Sequence, residues 1–243
     1  MKSQYTYALC SEQGGRACNE DKAFFRQKGE GFLAMVADGL GGHGGGDVAS
    51  AAAVEQAAAA YERGVALDAS QIQSLFDQAN AAIRAKQNAA CKMKSTLVLC
   101  VTDGQRLLFA HAGDSRAYLF RNGTVAFQTL DHSVSQMAVA LGEITPDQIR
   151  FHEDRNRVLR ALGNEEPPKA DIREMQAQDC DAILLCSDGF WEYVPEGVMC
   201  ALLRRAATAQ RWLDAMCLYL RAHAKEGNDN YSAVAAILQM EPV

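Results

Sequence analysis

Carboxylates stand where the most apolar stretches of the sequence begin or end. Four residues share this property: Asp38 follows residues 32–37, Asp114 follows residues 107–112 across one glycine, Asp188 follows residues 182–186 across one serine, and Asp229 precedes residues 231–238. In an antiparallel sheet the start of one strand lies beside the end of its neighbour, so these carboxylates can converge on one rim. For any single one of them a plain turn is the competing interpretation, because Asp-Gly and Asp-Asn favour turns.

Several carboxylates on one rim would predict a cation. Close carboxylates repel one another, which raises their pKa values unless a positive charge neutralises them. The eight cysteines and five histidines are not spaced for a soft metal. Oxygen ligands therefore indicate a hard ion, Mg²⁺ or Mn²⁺.

A glycine-rich segment directly follows Asp38. Read as Gly39-x-Gly41-x-x-Gly44 between a strand and a helix, it matches the dinucleotide-binding fingerprint, and an NAD-dependent oxidoreductase is the competing hypothesis. Asp38 would, however, lie against the pyrophosphate, and a second helical pattern follows where a βαβ unit needs a parallel strand. A loop without any chemistry is the third interpretation.

The elements that must position these residues follow from hydrophobic periodicity. Short apolar or alternating runs predict strands at residues 5–10, 22–28, 32–37, 96–102, 106–112, 116–121, 124–128, 170–176, 181–186 and 231–238. Helical spacing predicts helices at residues 47–62, 71–87, 133–141, 196–206 and 210–224. Consecutive strands separated by pairs of helices favour an α+β fold over a doubly wound parallel sheet.

Composition describes one globular domain, taken here as residues 1–243. The chain is 49% hydrophobic and 22% charged, with no linker or repeat. The cysteines fall mostly in apolar runs, which predicts buried reduced thiols and a cytoplasmic location. The sequence shows neither a signal-peptide core nor an apolar span of membrane length, so membrane insertion is not expected. No basic block offsets the net charge of −6, so nucleic acid is not an expected partner.

Taken in order, seven motifs resemble bacterial metal-dependent serine/threonine protein phosphatases, the type 2C or PPM family. They are residues 15–21 (GRACNED), 38–43 (DGLGGH) with 46–50 (GDVAS), 113–118 (GDSRAY), 131–133 (DHS), 142–145 (GEIT), 187–189 (SDG) and 229–230 (DN). The similarity extends from about residue 11 to residue 238. It implies a four-layer αββα sandwich, in which two antiparallel β-sheets are flanked by pairs of helices, with two Mn²⁺ or Mg²⁺ ions at one end.

The resemblance also implies roles for individual residues. Asp38 matches the carboxylate that bridges both metals, and Gly39 the residue that ligates through its carbonyl. The remaining metal positions are matched by Glu20, Asp21, Asp188 and Asp229, with Asp114 and Glu192 at a weaker third site. Arg16 matches the arginine that binds the substrate phosphate. Asp38, Asp188 and Asp229 form the expected catalytic set.

The family chemistry is hydrolysis of phosphoserine and phosphothreonine by direct attack of metal-bound water. Two ions lower the pKa of that water and neutralise charge during the displacement, so no phosphoenzyme is expected. The expected partners are phosphorylated proteins and an opposing bacterial Ser/Thr kinase, and the chain is expected to be a monomer. A catalytically silent phosphoprotein-binding domain of the same fold is a further alternative.

Departures from the family pattern mark where the resemblance is weaker. Leu40 occupies a position where some members carry a histidine, so metal-bound water is the expected proton donor and His43 a second candidate for general acid. Residues 94–96 (KST) replace a Gly-Ser/Thr-Thr opening. Residues 131–165 resemble the family's flap, where Asn156, Arg157 and Arg160 are candidate phosphopeptide contacts. Residues 187–194 resemble phosphatases that regulate type VI secretion.

Overall fold

Two β-sheets of this chain lie face to face, and helices cover both outer surfaces. The computed structural model describes residues 4–41, 44–64 and 68–239, and at residues 4 and 239 the backbone alone. One sheet has five strands and the other has six. Every strand pair in the described ranges is antiparallel, in agreement with the α+β prediction.

The strands agree closely with those expected from periodicity. They are β1 Gln4–Glu12, β2 Asp21–Lys28, β3 Gly31–Leu40, β4 Lys94–Ser95, β5 Leu97–Thr102, β6 Arg106–Ala112, β7 Arg116–Arg121, β8 Thr124–Gln128, β9 Asp171–Gln176, β10 Ala182–Cys186 and β11 Tyr231–Gln239. The five-stranded sheet has the order β1-β11-β10-β7-β8, and the larger sheet has the order β2-β3-β5-β6-β9 with β4 paired to β3. The strand predicted over residues 96–102 corresponds to β5. The two-residue strand β4, which pairs with the end of β3, precedes it and was not predicted.

The predicted helices are all present, and a short extra one follows β10. The α-helices are α1 Gly46–Arg63, α2 Ala69–Lys86, α3 Val134–Ala140, α4 Asp188–Trp191, α5 Glu196–Leu203 and α6 Ala209–His223. Two 3₁₀ helices, Pro146–Phe151 and Ala177–Asp179, complete the described elements. None of the helices in the described ranges is long and apolar enough to cross a bilayer.

Alternation along the strands creates the layers. Phe32 and Val36 of β3 face the other sheet, whereas Leu33 and Met35 face α1 and α2. Because both faces of this strand are covered, residues 32–37 are apolar throughout. A third cluster packs α4, α5 and α6 against the outer face of the five-stranded sheet. Three apolar interfaces between four layers confirm the αββα arrangement.

Candidate metal centre

Seven of the predicted site residues line one cavity of about 560 Å³ at an end of the sandwich. They are Arg16, Glu20, Asp38, Gly39, Asp114, Asp188 and Asp229. They come from both sheets, since β3 belongs to the larger sheet whereas β10 and β11 belong to the smaller one. The structure therefore brings the four carboxylates at strand ends together.

Asp38 lines the cavity, and Asp21 lies buried beside it. The two residues pair directly across β2 and β3. Asp21 is 1% exposed, and its Oδ2 accepts a 2.7 Å hydrogen bond from the Ser187 hydroxyl, which follows β10 in the other sheet. Asp38 donates its backbone N–H to Thr96 Oγ1. Thr96, in the segment that departs from the family pattern, thus holds the end of β3.

Within the part of the chain that the structure describes, three buried carboxylate oxygens at the site have no hydrogen-bond partner: Asp21 Oδ1, Asp114 Oδ1 and Asp188 Oδ1. A buried carboxylate oxygen without a partner is energetically costly, and native structures contain few such groups. A bound cation would supply the missing partner. The set of buried oxygens therefore fits a hard metal ion.

Burial and mutual repulsion shift the pKa values of these acids upward. Desolvation raises the pKa of Asp38 and of Asp188 well above the usual range, and neighbouring carboxylates raise both further. Desolvation likewise raises the pKa of Asp114 to about 7 and that of Asp21 to about 6. Positive charge in the cavity would reverse these shifts, because it favours the ionised carboxylates.

The glycine segment brings backbone close to Glu20. The N–H of Gly39 donates to the backbone carbonyl of Glu20 at 3.2 Å. The N–H of Gly46 donates to Glu20 Oε1 at 3.1 Å. A Cβ on Gly39 would lie 2.1 Å from the Gly46 carbonyl oxygen, so this approach requires glycine. His43, the second candidate for general acid, lies outside the described residues.

The dinucleotide-binding alternative fails on topology. The strand before the glycine segment, β3, pairs with β2, β4 and β5, all antiparallel to it. After the segment α1 leads to α2 rather than to a parallel strand. The βαβ unit that this hypothesis needs does not occur there.

The loop that carries Arg16 is tied to the turn that carries Asp229. Arg16 Nη2 lies 2.7 Å from Asp229 Oδ2, and the N–H of Gly15 donates to the Asn228 carbonyl. Arg16 remains 53% exposed, so its guanidinium can also meet a ligand in the cavity.

Asn230 organises the same loop, and sequence reasoning assigned it no role. Its Nδ2 donates to the carbonyls of Gln13 and Cys18, and its Oδ1 accepts from the N–H of Glu20. The sequence signal for this role was its position directly after Asp229 and directly before a predicted strand.

Glu192 differs from the expectation that it completes a third metal site. It is not among the cavity residues, and its Oε1 accepts a 3.0 Å hydrogen bond from Arg155 of the flap. The Arg155 guanidinium thus contacts the Glu192 carboxylate, which the resemblance assigns to a metal site.

The flap contributes Asn156 and Val158 to the cavity lining. Its two other candidate contacts are engaged elsewhere, because Arg157 pairs with Asp154 and Arg160 pairs with Asp171. Of the three candidates for phosphopeptide contact, only Asn156 lines the described cavity.

A buried network that the sequence did not reveal supports Asp114. The Trp191 indole N–H donates to the Asp114 carbonyl at 2.9 Å. The Arg116 guanidinium lies 3.6 Å from the centre of the Trp191 ring and forms two 2.7 Å hydrogen bonds with Asp131. This buried ion pair fixes the indole, which in turn holds the turn after β6.

A separate cluster of His111, His132 and Asp171 has ligand atoms within 4.8 Å of one another. Its geometry does not suit a metal. The imidazole rings stack 4.5 Å apart and nearly parallel, so their in-plane lone pairs cannot converge on one ion. Arg160 Nη1 already neutralises Asp171 at 2.7 Å.

Comparison with known proteins agrees with this geometry. The family model described as protein phosphatase 2C matches residues 11–238. The serine/threonine phosphatase stp of Listeria innocua is 32% identical over 225 residues, which cover 89% of this chain and 88% of that protein. PstP of Mycobacterium tuberculosis is 35% identical over 242 residues, which cover 95% of this chain but 44% of that longer protein.

Solved structures show the same fold. The catalytic domain of PstP in complex with two manganese ions superposes with a TM-score of 0.81 at 32% identity, covering 97% of this chain and 99% of that one. Stp1 of Staphylococcus aureus superposes with a TM-score of 0.85 at 27% identity, covering 96% and 95%. The carboxylate cavity between two antiparallel sheets, the family model and these relatives lead to one conclusion: the chain belongs to the protein phosphatase 2C family.

Proposed function

We propose that this chain is a metal-dependent protein phosphatase that hydrolyses phosphoserine and phosphothreonine in proteins. The observation that carries the proposal is the set of three buried aspartate oxygens that have no hydrogen-bond partner among the described residues. Two belong to the cavity residues Asp114 and Asp188, and the third belongs to Asp21, which pairs with the cavity residue Asp38. Manganese in the PstP relative and the names of the stp and PstP relatives support it. The span of the family model supports a single catalytic domain over residues 1–243.

The proposed ligands are those that the cavity brings together. Asp38 would hold two ions jointly and Gly39 would contribute its carbonyl, with Asp188 and Asp229 on one side and Glu20 and Asp21 on the other. Two Mn²⁺ or Mg²⁺ ions would supply activated water and positive charge for an in-line displacement at phosphorus. Glu192 would join Asp114 at a third ion only if Arg155 released it.

The protein's own residues would orient the substrate. Arg16 projects from a loop fixed by Asn230, and its planar guanidinium can donate two parallel hydrogen bonds to a phosphate. Release from Asp229 would be favoured once a cation engages that carboxylate, because the two cations compete for it. Asn156 would contact the peptide beside the phosphoryl group. The leaving alkoxide would take its proton from water, with His43 as the second candidate.

A matched set of variants tests the activity. The purified chain should hydrolyse para-nitrophenyl phosphate and a phosphothreonine peptide with Mn²⁺ and should lose this activity in EDTA. Asp38→Asn and Asp229→Asn should each lower kcat/KM by about a hundredfold or more, the equivalent of roughly 3 kcal/mol of transition-state stabilisation. Asp214→Asn, at an exposed position on α6, is the control and should keep full activity.

Activity that survives chelation, or equal activity in all three variants, would refute the proposal. Phosphopeptide binding without turnover would instead establish the silent binding domain. An opposing Ser/Thr kinase, a monomeric state and a cytoplasmic location belong to the same proposal, and the link to type VI secretion stays a prediction from residues 187–194.

A further inference from the structure

Two thiols touch where α6 packs on the edge strand β1. The Sγ atoms of Cys10 and Cys217 lie 3.6 Å apart, although the residues stand 207 positions apart in the chain. All eight cysteines are free, and no other thiol–thiol hydrogen bond occurs among the described residues. Neither cysteine lines the carboxylate cavity, so this contact is independent of the proposed phosphatase site.

The surroundings of the pair suit oxidation. Cys10 is half-buried, and Cys217 is 5% exposed at the inner face of α6. The hydrogen bond with Cys10 lowers the pKa of Cys217, and the Arg221 guanidinium lowers it further, against the effect of burial. The same contact raises the pKa of Cys10. The Cys217 sulfur is therefore the better nucleophile, and the Cys10 sulfur lies beside it as the resolving thiol.

We propose that Cys10 and Cys217 form a redox pair, which hydrogen peroxide closes into an intramolecular disulfide. The Cys217 thiolate attacks one peroxide oxygen, so that an S–O bond forms, the O–O bond breaks and the departing hydroxide takes a proton to become water. The Cys10 sulfur then attacks the Cys217 sulfenic sulfur. The S–S bond forms, the S–O bond breaks, and the leaving hydroxide carries away the Cys10 proton as a second water. The two thiols lose two electrons in total, and these reduce the peroxide.

Closure needs only a small movement. A disulfide joins its sulfurs at about 2.05 Å, so the present contact of 3.6 Å must shorten by roughly 1.5 Å. The bond would link the strand that precedes the Arg16 loop to the helix that precedes the Asp229 turn. These two segments already meet through the hydrogen bond from Gly15 to Asn228. A cross-link over so long a loop restricts mainly the unfolded chain.

Peptide mapping of the full chain tests the inference without any activity readout. After reduction, desalting and treatment with hydrogen peroxide, the folded protein should lose the mass of two hydrogen atoms and yield a linked Cys10–Cys217 peptide. Its Tm should rise by about 5–10 °C, as expected for a disulfide that closes a long loop in a domain of this size, and dithiothreitol should reverse the rise.

Single serine variants provide the controls. Cys200→Ser, at a half-buried cysteine on α5, should keep both the linked peptide and the rise in Tm. Cys10→Ser and Cys217→Ser should lose both. Recovery of Cys10 and Cys217 as thiols, or as separately oxidised residues, from a chain that still melts cooperatively would overturn the proposal. Because neither readout requires turnover, failure here is distinct from failure of the proposed phosphatase.

Discussion

At the scale of single residues, the cavity combines groups that are costly to keep together. Asp38 and Asp188 are half-buried among other carboxylates, and desolvation and repulsion both favour their neutral forms. Arg16 lines the cavity, and its guanidinium pairs with Asp229. A ligand that brings positive charge into the cavity would therefore stabilise the site most.

Substituting Arg16 tests its role in phosphate binding. Lysine keeps the charge but cannot form the bidentate contact, so Arg16→Lys should lower kcat/KM for a phosphopeptide roughly 10- to 100-fold, the loss of about 1.5–3 kcal/mol for a charge-assisted hydrogen bond. Thermal stability should hardly change, because the side chain is 53% exposed. Arg26→Lys, at an exposed ion pair with Glu62, is the control, and an equal loss in both variants would contradict the assignment.

His132 should make the fold sensitive to acid. Burial, and next the nearby His111, lower its pKa from 6.5 to about 4, although Asp171 opposes the shift. The unfolded chain therefore binds the proton more readily, and the stabilisation is complete above pH 6.5 and lost as the pH falls toward 4. Between pH 7 and pH 5 the resulting loss of unfolding free energy is about 2 kcal/mol.

Urea unfolding at the two pH values measures this effect. His132→Gln removes the titrating group, so the loss of unfolding free energy between pH 7 and pH 5 should shrink by about that 2 kcal/mol. His223→Gln, at an exposed residue ending α6, is the control and should leave the loss unchanged. An unchanged loss in His132→Gln would mean that other groups carry the acid sensitivity.

At the scale of elements, the start of α1 is built onto the cavity wall. Its first residue, Gly46, donates to Glu20 Oε1, while Gly45 before it adopts φ 91°. The β2–β3 pair places Asp21 opposite Asp38, so one hairpin and one helix start position three of the proposed ligands. This arrangement depends on contacts too close for a Cβ.

Gly46→Ala should therefore disturb the site. The new Cβ would lie 2.6 Å from Glu20 Cδ and 2.7 Å from the Gly39 carbonyl oxygen, so Glu20 must move. Overpacking of this kind costs about 1–3 kcal/mol, and isothermal titration should show weaker Mn²⁺ binding. Gly197→Ala, on α5 with open space around it, should be neutral or stabilising by up to about 1 kcal/mol. Equal affinity for Mn²⁺ in the two variants would refute the role of this contact.

At the scale of the whole molecule, the cavity joins the two sheets. The Ser187 hydroxyl after β10 bonds Asp21 of β2, and Trp191 of α4 bonds the turn after β6. A ligand bound in this cavity would contact residues of both sheets. It should therefore stabilise the fold as a unit.

Divalent metal should raise the melting temperature. Binding to the folded state alone adds about 2.7 kcal/mol at a hundredfold excess over Kd, or roughly 5–10 °C for a domain of this size. The raised pKa values of Asp21 and Asp114 mean that protons compete with the metal, so the shift should be larger at pH 8 than at pH 5.5. Differential scanning fluorimetry with Mn²⁺ and EDTA measures it, and Asp38→Asn should abolish most of the shift. A shift of equal size in that variant would place the metal elsewhere.

Much of the fold was predictable from local pattern. Strands covered on both faces appear as uninterrupted apolar runs, and α6 carries its buried residues at helical spacing. The four-residue helix α4 was missed because it is barely one turn long, too short for any periodicity. The strand β4 was missed because two residues are too few to show any alternation.

The sequence by itself determined which carboxylates end the apolar strands, because burial and turn formation are local properties of the chain. Only the tertiary structure decided which side chains meet across long separations. The Arg16–Asp229 pair spans 213 positions, and the contact of Cys10 with Cys217 spans 207. The pairing of Arg155 with Glu192 likewise arises where the flap meets α4. Such contacts depend on how sheets and helices pack, and spacing along the chain does not encode that packing directly.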